Sequence, residues 1–275
     1  MIVTAAGGIG LAVQIWPGTG GPSLLLVHAT GFCKETWEPF VAELRSAGSG
    51  APVAAFDQRS HGSSGPAPHP IDWWDRGRDV LAVIDALDDP PRVAAGHSSG
   101  AAALVFADLL RPGVFDHLVL MEPIIFPPPY RRFEDNPMSA VALKRRARFT
   151  SGAAARANFR GKEPFARWEE RALDAYLAGG FVADDDGIRL RCRPEDEAEF
   201  YRGATAHGAW SRLSEIEAGI TLVAGEDSES HPAGFLADMA GAMETGEALL
   251  IPGATHFVPM ERPGALAGVV APLLG

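Results

Sequence analysis

Cysteine is nearly absent. Cys33 and Cys192 are two in 275 residues, too few for a disulfide framework. Basic residues are also scarce, 24 Lys and Arg against 35 Asp and Glu. That balance argues against a nucleic-acid partner, because phosphates need a basic face. No unbroken apolar run reaches the ~18 residues of a membrane span. Residues 1–33 carry no charged side chain, yet Gly7, Gly8, Gly10, Pro17, Gly18, Gly20, Gly21 and Pro22 interrupt them. Met1-Ile2-Val3-Thr4-Ala5 has no basic stretch ahead of an apolar run, so a cytoplasmic location is expected. Neither H-E-x-x-H nor a Cys/His cluster occurs, so no metal or other cofactor is expected. The composition, 47% hydrophobic and 21% charged, is that of a folded chain rather than a disordered one.

Short apolar runs alternate with helical patterns. Residues 23–27 (SLLLV), 53–56, 92–95 and 118–121 (LVLM) suit strands covered on both faces. Helical spacing recurs at 36–47, where Trp37, Phe40, Val41 and Leu44 fall at i, i+3, i+4 and i+7, and at 73–87 and 99–110. This is the rhythm of βαβ units and a mainly parallel sheet with helices on both faces, an α/β fold. The rhythm stops at Pro127-Pro128-Pro129 and resumes with strands at 220–224 and 248–251 and helices at 232–243 and 263–274. The organisation expected is therefore a core from 1–126 and 212–275, with a mostly helical lid inserted at 127–211. Residues 131–171 hold eleven Lys or Arg against five acids, and 174–199 hold eight acids against three Arg.

One motif carries chemistry. Gly96-His97-Ser98-Ser99-Gly100 is G-x-S-x-G, and it lies where a strand turns into a helix, the setting of a nucleophile elbow. Glycines at both ends allow close backbone approach, Ser98 is held on a strained turn, and the Ser99 amide opens a helix beside a developing oxyanion. A serine hydroxyl needs a base. His256, in the loop after the last strand, lies at the carboxyl edge of the sheet, where open α/β folds bind ligands. His28 reads as a residue that orders its own loop, and His97 as turned away from substrate. His61 and His69 read as turn residues, His117 and His231 as surface residues, and His207 as part of the insertion.

These motifs resemble the α/β-hydrolase superfamily over nearly the whole chain. Leu26-Val27-His28-Ala29-Thr30-Gly31-Phe32 resembles its strand-end HG loop, and Asp57-Gln58-Arg59-Ser60-His61-Gly62-Ser63-Ser64 its D-x-R-G-x-G-x-S turn. Gly253 to His256 looks like its G-x-G-H loop. Ala29 and Ser60 stand where glycine is usual. The resemblance implies an α/β-hydrolase fold, a triad of Ser98, His256 and an acid, and oxyanion donors from the amides of Ser99 and Thr30, with Ala29 as alternative to Thr30. Family members usually carry the acid as Asp after the penultimate strand, but Ser228 aligns there. Two carboxylates remain. Glu122 ends the strand at 118–121, a position similar to that of the haloalkane dehalogenases, and Asp227 is one residue from the aligned place. Dehalogenases and epoxide hydrolases of this fold attack with Asp, so Ser98 points away from their chemistry and towards carbonyl carbon.

The expected activity is hydrolysis of a carboxylic ester, lactone or thioester through an acyl-enzyme on Ser98, with a small-molecule acyl substrate. The same triad also supports carbon–carbon bond hydrolysis, acyl transfer, lyase or perhydrolase chemistry, and a non-catalytic binding member of the fold is a third alternative. Phe32, Phe126, Trp168 and Trp210 are the candidates for the substrate pocket. Oligomeric state leaves no signature in the sequence.

Overall fold

A computed structural model describes residues 1–20, 23–244 and 246–275. Gly21 and Pro22, two of the breakers named above, lie outside it. The strands are β1 (Ile2–Thr4), β2 (Gly10–Trp16), β3 (Leu24–Val27), β4 (Val53–Phe56), β5 (Val93–His97), β6 (His117–Met121), β7 (Arg148–Phe149), β8 (Phe181–Asp184), β9 (Gly187–Leu190), β10 (Gly219–Gly225) and β11 (Gly246–Ile251). The α-helices are α1 (Glu38–Ser46), α2 (Trp74–Asp85), α3 (Ser99–Leu110), α4 (Pro137–Leu143), α5 (Gly152–Arg160), α6 (Glu170–Gly179), α7 (Pro194–Gly203), α8 (Ala233–Gly241), α9 (Val258–Glu261) and α10 (Pro263–Val270).

Eight strands form one sheet in the order β1-β2-β4-β3-β5-β6-β10-β11. The pairs from β4 to β11 are parallel, and β2 runs antiparallel to β1 and β4. Strand periodicity explains how both faces are covered. Leu25, Val27, Ala94, Leu118 and Leu120 pack with α2, α3 and α8, while Leu24, Leu26, Ala95, Val119 and Met121 pack with α1 and α10. Helix α3 is buried from Ser99 through Leu109, because small residues let it approach the sheet. A Cβ on Gly100 would lie 2.2 Å from the Val27 carbonyl oxygen.

The expected α/β-hydrolase architecture is therefore present. The first two strands were not anticipated, because the glycines around them mask their short alternation. The segment between β6 and β10 is mostly helical, but it also holds a three-stranded antiparallel sheet, β7-β9-β8. Its β8–β9 hairpin turns through Asp185-Asp186 to Gly187 at φ 144°, inside the acidic stretch whose charge hid the alternation. Charges pair between the basic and acidic stretches of this segment, Arg132 with Glu199, Arg145 with Glu197 and Arg156 with Asp174, while Arg156 also meets Glu170 within the basic stretch. The segment is also tied to the rest of the chain. The indole N–H groups of Trp73 and Trp74 donate to Phe200 O and His207 O, each at 3.0 Å, and Glu169 N–H donates to Met260 O at 3.0 Å. Among the described residues, no helix is long and apolar enough to cross a membrane.

Candidate active site

Ser98 follows the last residue of β5 and precedes α3. Its backbone sits at φ 56°, ψ −114°, a strained conformation for a residue with a Cβ. The surroundings impose it: Ser98 N–H donates to Met121 O on β6 at 2.7 Å, and Ser98 O accepts from Ala102 at 3.2 Å. A Cβ on Gly96 would fall 2.7 Å from the Ala101 backbone, so the elbow closes only with glycine. Ser98 as a residue is left 7% exposed. Ser99 begins α3, so its N–H is one of the amides a helix leaves without an intrahelical acceptor. Thr30 Oγ1 donates to Ser99 Oγ at 2.9 Å, which ties the loop after β3 to the elbow.

His28 orders that loop from below. Its Nδ1–H donates to Ala29 O at 2.7 Å, and its Nε2 accepts from Gln58 N–H at 3.0 Å. Burial drives it down to about 3, so the ring stays neutral. His61 is buried as well, and its Nε2 accepts from Gly31 N–H at 2.8 Å. Ala29 is accommodated without a left-handed backbone, whereas Ser60 takes φ 62° and holds Ala67 N–H on its hydroxyl at 2.8 Å. Both replacements of the usual glycine are thus absorbed locally.

Glu122 follows β6 and is fully buried, at φ 47°. Its Oε2 lies 2.6 Å from His256 Nδ1. Oε1 accepts from Gly225 N–H at 3.0 Å, while Oε2 also accepts from Ser228 Oγ at 2.7 Å and Ser230 Oγ at 2.8 Å. Burial pushes this carboxyl up, but the hydrogen bonds from His231, His256 and the Gly225 amide outweigh it and hold the group well below the usual carboxylate range. A buried carboxylate is tolerable only with such partners.

His256 presents its ring to Glu122, and its backbone carbonyl accepts from His97 Nε2–H at 2.8 Å. His97 is therefore turned away from Ser98 and anchors the loop that carries His256. Burial followed by the nearby His256 drives His97 down to about 3, which keeps it neutral. Neither Ser98 Oγ nor His256 Nε2 has a hydrogen-bond partner among the described residues.

Asp227, the other carboxylate considered, does not approach His256. Its side chain is 48% exposed and pairs with Arg167 at 2.8 Å, while its backbone N–H donates to Ala254 O at 2.9 Å. His231 corrects another expectation. It is not a surface residue but fully buried, with Nδ1 3.3 Å from Glu122 Oε2. The signal available was a loop that lacks the usual acid yet is dense in donors, Ser228-Glu229-Ser230-His231.

The four pocket candidates separate into two groups. Phe32 and Trp168 lie 5.2 Å apart and pack with Phe257, whose ring is 5.2 Å from that of His256. Phe126 and Trp210 instead both stack on a different ring: each is 5.7 Å from Phe235, which lies 5.2 Å from His231. Two surface cavities, of about 360 and 430 Å³, lie elsewhere, and neither is lined by Ser98, Glu122 or His256. Glu122, His231 and His256 bring ligand-type atoms within 4.8 Å of one another. Two ligands of one tetrahedral zinc keep about 3.3 Å between them, so the 2.6 Å contact of Glu122 with His256 is a hydrogen bond and does not fit a shared ion.

The arrangement can deliver a serine, an imidazole oriented by a buried carboxylate, and backbone amides at one sheet edge. A type I acyl-CoA thioesterase of Penicillium brevicompactum is 30% identical over 131 residues, 43% of this chain and 30% of that protein, so the match spans under a third of that relative's length. The 2-(acetamidomethylene)succinate hydrolase of Mesorhizobium japonicum is 25% identical over 253 residues, 86% of this chain and 82% of that one. The peroxisomal alpha-beta-hydrolase Lpx1 of Saccharomyces cerevisiae shares the fold at TM-score 0.81 and 19% identity, covering 98% of this chain and 82% of its own. The profile of the alpha/beta hydrolase family matches residues 24–269, and the chain belongs to that family.

Proposed function

We propose that this protein is a serine hydrolase that cleaves a carboxylic ester, lactone or thioester through an acyl-enzyme on Ser98. The observation that carries the reading is the 2.6 Å contact between Glu122 Oε2 and His256 Nδ1. A carboxylate on Nδ1 fixes the tautomer that leaves Nε2 as the base. Ser98 Oγ then attacks the carbonyl carbon and its proton passes to His256 Nε2. The serine–imidazole hydrogen bond closes in the substrate complex, where such contacts tighten. Glu122 stabilises the imidazolium, and the amides of Ser99 and Thr30 receive the oxyanion. His256 next gives its proton to the leaving group. Water, deprotonated by the same imidazole, releases the acid and regenerates Ser98.

Residues 127–211 act as a lid in this reading, with Phe32, Trp168 and Phe257 as the apolar wall nearest His256. The thioesterase relative favours acyl thioesters as one substrate class to test. The test is a panel of esters, lactones and thioesters of graded acyl length, run beside a fluorophosphonate reaction read by intact mass. Turnover on the panel with one adduct on Ser98 is the expected result. A folded protein with neither would overturn the reading in favour of a binding role.

A further inference from the structure

The hydrolase reading leaves one buried cation without a task. Arg76, in the first turn of α2, is 1% exposed. It forms no ion pair among the described residues, and Asp79, one turn along α2, is taken by Arg59 at 2.7 Å. The Arg76 guanidinium lies instead over the rings of Trp73, at 4.4 Å, and Phe200, at 5.0 Å. Its Nη1 has no hydrogen-bond partner among the described residues, and burial pushes the group down to about 9. An apolar side chain of similar volume would fill such a place at lower cost. What the guanidinium does there is hold Gln58: Nε, at 2.8 Å, and Nη2 both donate to Gln58 Oε1.

From Arg76 to the loop after β3, each group has one orientation that satisfies its neighbours. A guanidinium only donates, so the Gln58 amide turns its oxygen to Arg76 and its NH2 the other way. That NH2 donates to His28 O. Gln58 N–H donates to His28 Nε2 at 3.0 Å, so the ring hydrogen sits on Nδ1, which donates to Ala29 O at 2.7 Å. Ala29 O also accepts from Phe32 N–H at 3.3 Å. The Ala29–Thr30 peptide is trans, and a trans peptide points its carbonyl and its N–H to opposite sides. Pinning Ala29 O therefore turns Thr30 N–H away from the His28 ring. Thr30 N–H has no partner among the described residues, whereas Gly31 N–H is spent on His61 Nε2. The hydroxyl of Thr30 meanwhile holds the residue against Ser99 at the elbow.

We propose that Arg76 is a positioning residue for the oxyanion site, acting through Gln58 and His28 on the plane of the Ala29–Thr30 peptide. Arg76 fixes the Gln58 amide, Gln58 holds His28 by both its carbonyl and its ring, and His28 sets the direction of the Thr30 amide. The proposal rests on the serine-hydrolase reading for its kinetic consequence. A donor aimed in advance at the developing oxyanion costs no reorganisation during the reaction. Without Arg76 the Gln58 amide is free to turn over, its NH2 leaves the His28 carbonyl, and the Thr30 amide loses its aim. The loss falls on the transition state rather than on substrate binding, so it lowers kcat and spares KM.

The test compares wild type, Arg76→Met, Arg76→Lys and Gln58→Glu by kcat and KM on para-nitrophenyl butyrate. It also measures Ki for butyl trifluoromethyl ketone, which adds to an activated serine as an oxyanion. Arg76→Met fills the space without a donor. Its kcat should fall about 10- to 100-fold with KM within about threefold, and Ki should rise by the factor that kcat loses. Gln58→Glu keeps the contact with Arg76 but loses the donor to His28 O, and should lose kcat to a similar degree. Arg76→Lys keeps one donor at Gln58 Oε1 and should recover most of the loss. A merely structural Arg76 would change the melting temperature and leave kcat and Ki of the folded protein unmoved. Folded Arg76→Met and Gln58→Glu with both constants within about twofold of wild type would therefore overturn the proposal. If the variants fail to fold, ¹⁵N shifts of the wild-type histidine rings at pH 7 decide. His28 with its hydrogen on Nδ1 is expected, and a hydrogen on Nε2 would break the relay and overturn the proposal. If the wild type takes no fluorophosphonate and cleaves no ester, the hydrolase reading fails separately and the His28 tautomer still reads the relay.

Discussion

Two buried carboxyl groups in this molecule behave in opposite ways. Glu122, at the carboxyl edge of the sheet, and Asp108, near the end of α3, are 0% and 1% exposed. Glu122 has an amide, two hydroxyls and two imidazoles around it, and is held well below the usual carboxylate range. No side-chain donor reaches either oxygen of Asp108 among the described residues, and no backbone donor meets it with good hydrogen-bond geometry. Burial pushes it up to about 6, and the backbones of Glu217 and Phe115 oppose that only in part. Burial alone therefore does not say what a carboxyl does. The count of donors decides whether it is a fixed negative charge or a group that prefers its proton. Only the first kind can orient and stabilise an imidazolium.

The comparison breaks most severely at Glu122. Glu122→Gln should lower kcat by about a thousand- to ten-thousandfold, the scale seen when the triad acid is neutralised. Asp227→Asn should stay within about twofold, since it loses only an exposed pair, and steady-state kinetics on a hydrolysed ester reads both. A smaller effect sharpens the point. Ser228→Ala removes one donor to Glu122 Oε2, and should cost about 1.5–3 kcal/mol of stability in denaturant titrations.

Acid should act in the same direction at this corner. The folded value of Glu122 lies below its unfolded value, so its stabilisation is full above about pH 4.5. That stabilisation is lost as pH falls towards the lowered value, and Glu122→Gln should flatten this acid dependence of stability.

Asp108 gives the smallest effect, with the opposite sign. Its folded value is raised, so its penalty is absent below the unfolded value near 3.8, grows as pH rises to about 6, and is full above that. Asp108→Asn should stabilise the protein at pH 7 by on the order of 1–2 kcal/mol after solvent screening, and by nothing near pH 3.5. Melting curves at the two pH values check it.

The two corners of the site also differ in how legible they are. The elbow is local: five consecutive residues carry its glycines, its serine and its helix start, and β5 and α3 supply the context that short spacing already implies. Glu122 was legible because a carboxylate ending an all-apolar strand demands a partner. Its support was not. Gly225, Ser228, Ser230 and His231 reach it from more than a hundred residues along the chain, and only the pairing of β6 with β10 brings them there. The same holds for Phe126 and Trp210, whose place beside Phe235 depends on contacts distant in sequence rather than on their own periodicity.

The most direct test of the site compares rates of fluorophosphonate labelling at Ser98 in wild type, Glu122→Gln and Asp227→Asn, with peptide mapping of the adduct. The account predicts one adduct, on Ser98, at matching rates in wild type and Asp227→Asn, and a rate at least a hundredfold lower in Glu122→Gln, on the order expected for a base that has lost its orienting acid. Wild-type labelling in Glu122→Gln together with slow labelling in Asp227→Asn would contradict it.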